Sequence, residues 1–293
     1  MGKIPNIPFR KPNKDHIEFE IFPLQSLFNR NKTLSHSIDQ PHRLEFFILL
    51  FITKGNGKHR IDFKEYSFEE NSLIFISKGQ VHAFDIQPEV DGFLILFTEG
   101  FLSKNLIHAD ILSFSRLYNY HFQLPVIQPE GGMGEMFGQI VKEIYNEYTS
   151  HESFGKEQML RLLLSLLLLR AERIKKTMIP REKNPGWFKK FMGFKSLVEQ
   201  HAAQTRNAKD YADMMNLSYN HLNQISKSVA GTTAKAFIDK LLVLEIKRRL
   251  AVSDISVKEL TYETGFDEPT NFVKFFKKHA GLSPSKFKKT IRK

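Results

Sequence analysis

The chain has 293 residues, a net charge of +11 and no cysteine. This length exceeds what one hydrophobic core usually holds, so about two domains are expected. The absence of cysteine excludes disulfide bonds and thiolate metal sites. The charge is unevenly distributed, because residues 187–293 hold 20 Lys and Arg against 10 Asp and Glu. This imbalance is typical of a region that binds a polyanion, and on charge alone a solvated basic surface explains it equally well.

The beginning of the chain and its most apolar stretch argue against export and membrane insertion. The segment MGKIPNIPFRKPNK lacks the apolar region of a secretory signal. The longest apolar run, Leu162 to Leu169, is far shorter than the ~20 residues that span a bilayer. We therefore expect a cytoplasmic protein without a membrane span.

Residues 44–97 are rich in short apolar runs typical of β-strands. Stretches such as EFFILLFI, NSLIFI and GFLILF alternate with the turn segments KGNG, SKGQ and PEVDG. Short strands separated by Gly, Pro and Asn predict an antiparallel barrel or sandwich. Because helical patterns follow, the predicted fold class is α+β, with the barrel first and an all-α domain last.

Two helices are predicted after the barrel. MGEMFGQIVKEIYNEYTSH repeats apolar residues at near-helical spacing, and GKEQMLRLLLSLLLLRAERIKK forms a longer second helix. This helical segment, residues 131–177, is expected to form a hairpin or a dimer interface. Prolines, a glycine and many charges then predict a linker at residues 178–187.

The C-terminal region, residues 188–293, contains two similar helix-turn-helix units. They span about 207–231 and 256–281, with a long helix between them. Aligning Gly231 with Gly281 aligns their second helices at a constant offset of 50 residues. Two copies of one unit joined by a shared helix indicate a duplicated binding element.

Capping residues predict where the short helices begin. Ser218 can cap the helix that starts at Tyr219. Ser256 and Glu259 match the S-x-x-E capping box. Asp267 is expected to cap the second helix of the second unit, with a proline in its first turn.

In both second helices one face is apolar and the opposite face is polar or cationic. Such a face can enter the major groove of DNA, where Asn and Gln pair with adenine and Lys suits guanine or phosphate. The residues predicted to contact base edges are Asn220, Asn223, Gln224, Thr270, Asn271 and Lys274. Those predicted to contact phosphates are Lys227, Lys277 and Lys278. For one such helix a plain solvent face would be the better interpretation, but two capped copies in a basic region favour groove binding.

The most specific motif is VKELTYETGFDEPTNFVKFFKKHAGLSPSKF. It resembles the signature of the AraC/XylS family of transcriptional regulators, which contains G-F, F-x-[RK]-x-F-K and G-x-[ST]-P. The matching residues are Gly265, Phe266, Phe272, Phe276, Lys277, Gly281, Ser283, Pro284 and Phe287. Thr261 replaces the usual Ala, and Lys274 replaces the usual Arg. The first unit matches less well, because Gln224 and Ser226 stand where an Arg and an aromatic residue are usual.

The resemblance implies a cupin-like, ligand-sensing barrel in residues 1–130 and a DNA-binding domain in residues 188–293. Two recognition helices would address successive major-groove segments of double-stranded DNA, one helical turn or ~34 Å apart. It also implies a homodimer formed through residues 131–177, a small-molecule effector and contact with RNA polymerase. No catalytic residue and no cofactor are expected.

One stretch of the barrel, NSLIFISKGQVHAF, resembles the second cupin motif, with His82 in the position of its histidine. The H-x-H of the first cupin motif is absent and Glu45 does not have the spacing of a metal ligand, so no metal site is predicted. His42, Phe46 and His82 are candidate pocket-lining residues. They are equally well explained as core residues.

Two other functions stay open on the sequence. A non-specific nucleic-acid-binding protein would show uniform affinity across sequences and a steep salt dependence. A metal-dependent cupin enzyme with a basic appendage is a weaker alternative, because the H-x-H motif is missing.

Overall fold

The computed structural model describes residues 6–9, 17–30, 37–85, 87, 89–104, 117–118, 124–178 and 185–291. They form two compact units, one before and one after residues 179–184. The predicted linker at 178–187 overlaps helices on both sides, because one helix runs to Met178 and the next begins at Pro185. The rest of that linker lies outside the described residues.

The described part of the first unit contains two five-stranded sheets. The strands are β1 (Asn6–Ile7), β2 (Phe19–Pro23), β3 (His42–Leu44), β4 (Phe47–Lys54), β5 (Gly57–Ile61), β6 (Lys64–Phe68), β7 (Leu73–Ile76), β8 (Val81–Ala83), β9 (Asp91–Phe97) and β10 (Val126–Ile127). Their orders are β1-β3-β8-β5-β6 and β10-β7-β4-β9-β2. The pairings are antiparallel except that of β1 with β3. The predicted cupin-like antiparallel architecture is confirmed.

Strand β4 explains the continuous apolar run EFFILLFI. Leu49 and Phe51 pack in a core shared with helices, whereas Ile48, Leu50 and Ile52 pack in a second core with residues of the other sheet. A strand that is covered on both faces has no solvent-facing positions, so its sequence does not alternate.

The helices of the first unit are α1 (Leu24–Arg30), α2 (Glu99–Ser103), α3 (Met133–Thr149) and α4 (Lys156–Met178). The last two form the predicted hairpin and pack against the sheet that contains β4. None of the helices in the described part of the chain is long and apolar enough to cross a membrane.

Two buried basic side chains bond α4 to backbone carbonyls of the first unit. Arg161 donates from Nε to the carbonyl of Phe101 at 2.7 Å, and Lys175 donates from Nζ to the carbonyl of Leu117 at 3.0 Å. Burial lowers the pKa of Lys175 to about 7, although nearby Glu172 favours its charged form. These contacts fix which face of α4 points inward and which faces solvent.

The second unit is helical throughout its described residues. Its helices are α5 (Pro185–His201), α6 (Ala208–Met214), α7 (Tyr219–Ala230), α8 (Ala234–Val252), α9 (Val257–Glu263), α10 (Pro269–Ala280) and α11 (Pro284–Ile291). The predicted repeat is confirmed, since α7 and α10 each have 12 residues and begin 50 positions apart. Both end at a left-handed glycine, Gly231 or Gly281, where a side chain would be strained.

Two of the three predicted caps are confirmed. Ser218 accepts a hydrogen bond from the backbone N–H of His221, and the capping box of Ser256 is complete. The prediction of Asp267 is wrong, because α10 is preceded by Glu268, which makes no side-chain cap. Pro269 at the first helical position has no N–H to satisfy and holds the residue before it in an extended conformation.

Two departures from the family motif are accommodated by hydrogen bonds. Thr261 is fully buried, and its hydroxyl donates to the carbonyl of Val257 at 2.8 Å. Ser226 is also buried and donates to the carbonyl of Thr232 at 2.8 Å. A buried hydroxyl that finds a carbonyl avoids the cost of an unsatisfied donor, so both residues fit the helical core.

Candidate nucleic-acid interface

The orientation of α7 and α10 is set by their apolar faces. Leu222 and Ile225 of α7 are completely buried, as are Phe272 and Phe276 of α10. Both helices contact α8. Since an α-helix has 3.6 residues per turn, burial of these positions turns the opposite side of each helix to solvent.

Five of the six predicted base-contacting residues lie on these exposed sides. They are Asn220, Gln224, Thr270, Asn271 and Lys274. The predicted phosphate contacts are exposed as well, namely Lys227, Lys277 and Lys278. All of the latter lie in the last turn of their helices, where a cation also interacts favourably with the helix dipole. Their position is therefore compatible with phosphate binding and with helix stabilisation.

The repeat pairs the exposed residues position by position. Asn220 corresponds to Thr270 and Gln224 corresponds to Lys274. Within each helix the two residues are four positions apart, so they lie side by side on one face. The first helix thus presents two carboxamides, and the second presents a hydroxyl and an ammonium group.

Asn223, the sixth residue, has a structural contact. Its side-chain oxygen accepts a hydrogen bond from the backbone N–H of Ala234 at 3.0 Å, at the start of α8. Thr233 caps the same helix end by accepting from Ala236. The repeat contained a signal for this inward role, because the position equivalent to Asn223 is Val273. Base contact by Asn223 stays a prediction.

The structure brings together two of the three predicted pocket residues. His42 and His82 are directly opposite each other on β3 and β8, with ring centroids 4.2 Å apart, and both are buried. Phe46 is buried in the core and packs edge-on against Phe9.

A third buried histidine, His59, is not among the residues predicted from the sequence. Its Nε2 lies 3.1 Å from Nδ1 of His82, a hydrogen bond in which one ring donates to the other. The alternating pattern of β5 could have predicted that His59 is buried, because His59 and Ile61 are the buried positions of GKHRI. Among the described residues, no group of three or more His, Asp or Glu side chains is arranged to hold a metal ion.

Burial keeps His59 uncharged. Desolvation lowers its pKa to about 3, and the neighbouring His42 and Arg60 act in the same direction. The imidazole is therefore neutral at physiological pH, with one nitrogen that donates and one that accepts.

The pKa of His59 predicts that acid destabilises the first unit. In the unfolded chain His59 takes up a proton near pH 6.5, whereas in the folded chain it does so only near pH 3. Stability is therefore fully present above pH 6.5 and falls as pH decreases, by up to roughly 1.4 kcal/mol for each pH unit. Thermal unfolding of the β-rich unit, followed by circular dichroism between about pH 7 and pH 5, measures this slope.

Replacing His59 with Gln should reduce that slope, because the amide retains hydrogen-bonding groups but does not titrate. The matched control is His151→Gln, at an exposed histidine of the same unit. Equal slopes in wild type and His59→Gln would contradict the assignment.

The chain matches known protein families over both units. The model described as AraC-like ligand binding domain matches residues 29–167, and the model described as helix-turn-helix domain matches residues 211–290. The Msm operon regulatory protein of Streptococcus mutans is 23% identical over 248 residues, which cover 84% of this chain and 85% of that protein. The arabinose operon regulatory protein of Escherichia coli K12 is 21% identical over 274 residues, which cover 93% and 89%.

Among solved structures, ToxT from Vibrio cholerae O395 aligns with 94% of this chain and 98% of its own, at 13% identity and a TM-score of 0.43.

Proposed function

The chain belongs to the AraC family of ligand-controlled, DNA-binding transcriptional regulators, and we propose that it recognises a specific DNA sequence through α7 and α10. The observation that carries this proposal is the pair of equivalent 12-residue helices with buried apolar faces and exposed polar faces. They lie in the part of the chain that holds nearly all of its excess positive charge. Such charge supplies affinity for the phosphate backbone, and the exposed polar groups supply sequence preference.

The two helices favour different bases. The carboxamides of Asn220 and Gln224 match the N6 and N7 groups of adenine. The ammonium group of Lys274 matches O6 and N7 of guanine, and the methyl group of Thr270 suits thymine. The proposed operator therefore has an adenine-containing segment under α7 and a guanine-containing segment under α10.

Substitution of a base-reading residue should relax preference at one position. Asn220→Ala or Lys274→Ala should cost about 1–3 kcal/mol on the preferred duplex and much less where that base pair is changed. Lys277→Ala should instead weaken binding to all duplexes and lower the salt slope by about 1. Fluorescence anisotropy on duplexes selected from genomic fragments by the purified chain, with single base changes and a salt series, measures both effects.

Asn223→Ala provides the structural comparison. Loss of its bond to Ala234 should lower the free energy of unfolding by about 1 kcal/mol, whereas Asn220→Ala should leave it unchanged. If Asn220→Ala and Lys274→Ala weakened binding equally on every duplex, the chain would be a non-specific nucleic-acid-binding protein.

We further propose that the barrel holds the effector site, with His42, His59, Phe46 and His82 as candidate contacts. The proposal is supported by the buried imidazoles on β3, β5 and β8, which can donate and accept hydrogen bonds inside an apolar core. Because His59 is uncharged, the cluster favours a neutral hydrogen-bonding molecule over an anion. Of the relatives, one is a regulatory protein of an arabinose operon, which makes sugars the first effectors to test.

Control by an effector requires that its affinity differ between the free and the DNA-bound protein. We expect calorimetric titration with candidate sugars to give different dissociation constants in the presence and absence of the selected duplex. Replacement of His82 with Ala should weaken effector binding and leave the affinity of the effector-free protein for DNA unchanged. Identical constants in both titrations would reject the coupling.

A homodimer formed through α4 is also proposed. One side of α4 packs on the barrel, but the opposite side carries exposed large apolar residues. They are Met159, Leu162, Leu166 and Leu169. Their spacing of three, four and three residues is that of a coiled-coil seam. A second copy of the chain can cover this stripe with the same residues, as expected for a two-fold symmetric interface.

Charge in this stripe should separate the protomers. Leu162→Glu, at a side chain that is 60% exposed, should convert a dimer to a monomer without loss of folding. Met214→Glu places the same charge on an exposed apolar residue of the second unit and should leave the dimer intact. Sedimentation velocity measures the mass of each variant, and a dimeric Leu162→Glu protein would exclude this interface.

The matched relatives are transcriptional regulators, and we propose that this chain has no catalytic activity. Stoichiometric iron or manganese in the purified protein, together with turnover, would instead support the metal-dependent cupin enzyme. A DNA-binding regulator of this family is expected to act in the cytoplasm, and fractionation with its target DNA tests that location. Contact with RNA polymerase stays a prediction from the family, which co-purification on promoter DNA would test.

A further inference from the structure

The loop between α5 and α6, residues 202–207, is bonded firmly to the first helix-turn-helix unit. The hydroxyl of Tyr211 donates to the carbonyl of Thr205 at 2.8 Å, and the hydroxyl of Thr205 donates to Asp210 at 2.5 Å. Asn207 caps α6 by accepting from the backbone N–H of Lys209. Because Tyr211 is completely buried, these bonds tie the loop to the core of the first helix-turn-helix unit.

The same loop also contacts the second helix-turn-helix unit through a side chain. The guanidinium carbon of Arg206 lies 3.7 Å from the ring centroid of Phe266. Phe266 is buried and packs against Phe272 and Phe275 of α10, with ring centroids 5.4 Å and 5.2 Å away. Arg206 is therefore separated from the buried face of this recognition helix by a single aromatic ring.

A backbone contact lies beside this stack. Gly265 has a φ of +75°, and a Cβ atom built on it would lie 1.8 Å from the carbonyl oxygen of Ala203. Only glycine fits there, because any side chain would collide with backbone and strain the left-handed conformation. The turn of the second helix-turn-helix unit, at Gly265, is thus in direct contact with the loop at residues 202–207.

We propose that residues 202–207 form a second connection between the two helix-turn-helix units, and that Arg206 and Gly265 are positioning residues that set the spacing and phase of α7 and α10 on DNA. The proposal rests on the proposed function of these two helices. A connection through α8 alone allows one helix-turn-helix unit to rotate relative to the other about that helix. A second contact away from α8 closes a ring of contacts and removes this freedom.

Arg206 is better suited to this role than to phosphate binding. Its Nη1 atom is buried and makes no hydrogen bond within the described part of the chain. A guanidinium stacked on an aromatic ring is attracted by the negative face of the ring, and more strongly where water is excluded. Lysine does not replace it, because an ammonium group lacks the planar surface for stacking.

Distance measurements between the two helix-turn-helix units test the connection through residues 202–207 in the absence of DNA. The chain has no cysteine, so Ser228→Cys on α7 and Ser285→Cys on α11 allow two spin labels on exposed positions of the full-length protein. Helix α11 reports on α10, because Phe287 packs on Phe276 with ring centroids 5.7 Å apart. Double electron–electron resonance should give a narrow distance distribution in the parent and a broader one in Arg206→Ala and Arg206→Lys.

The control is Lys209→Ala, which removes an exposed cation next to the loop and should keep the narrow distribution. Circular dichroism should show that Arg206→Lys has the helical content and cooperative unfolding of the parent. A narrow distribution in both Arg206 variants would overturn the proposal.

DNA binding supplies a second readout that a purely structural role would not change. One base pair is inserted in a selected duplex between the segments that contact α7 and α10. The parent should then lose roughly tenfold or more in affinity, about the cost of a misread base pair. Arg206→Lys should lose much less and should bind a single segment as the parent does. Equal penalties in parent and variant would overturn the positioning role.

The two readouts separate this inference from the proposed function. If the parent selected no DNA sequence, the proposal of sequence-specific recognition would fail. The spin-label distances would still show whether residues 202–207 connect the two helix-turn-helix units.

Discussion

The burial of the apolar faces of α7 and α10 is the constraint that sets the arrangement of helices in the second unit. Leu222 and Ile225 of α7, and Phe272 and Phe276 of α10, are removed completely from water. Burial of such side chains stabilises a protein by about 1.5–3 kcal/mol each. Rotation of either helix about its axis would lose that energy, so the polar side of each is held in solvent. Helix α8 can contact both because it is itself apolar on more than one side.

In the first unit, the cores on both sides of the sheet containing β4 place polar chemistry under different constraints. One core contains the histidines at β3, β5 and β8, where desolvation keeps His59 neutral. The other is covered by α4, whose inner face carries Arg161 and Lys175 bonded to backbone carbonyls. Buried basic groups cost free energy unless they are hydrogen-bonded, so they specify one docking of α4. Its apolar outer stripe is consequently displayed in a defined orientation.

Much of the fold could be predicted from the sequence because the signals are local and periodic. The runs around β4, β7 and β9 are long, and glycine-rich turns separate them. The repeat of 50 residues located α7 and α10, and the serine caps located the starts of α7 and α9. Strands such as β1, β3 and β10 have only two or three residues, so no period can be read from them. The predicted cap at Asp267 failed because α10 begins at Pro269, which puts Glu268 and not Asp267 at the cap position.

The sequence by itself determined the order of the elements, the concentration of positive charge in one third of the chain and the polar faces of α7 and α10. These properties depend on neighbours within a few residues or on composition. Tertiary structure alone decided that Asn223 bonds to the start of α8, that His59 joins His82, and that Gly265 meets Ala203. Each of these contacts joins residues that are 11 to 62 positions apart. Packing of the whole unit brings them together, and no local pattern encodes which distant partner a polar side chain or a glycine will find.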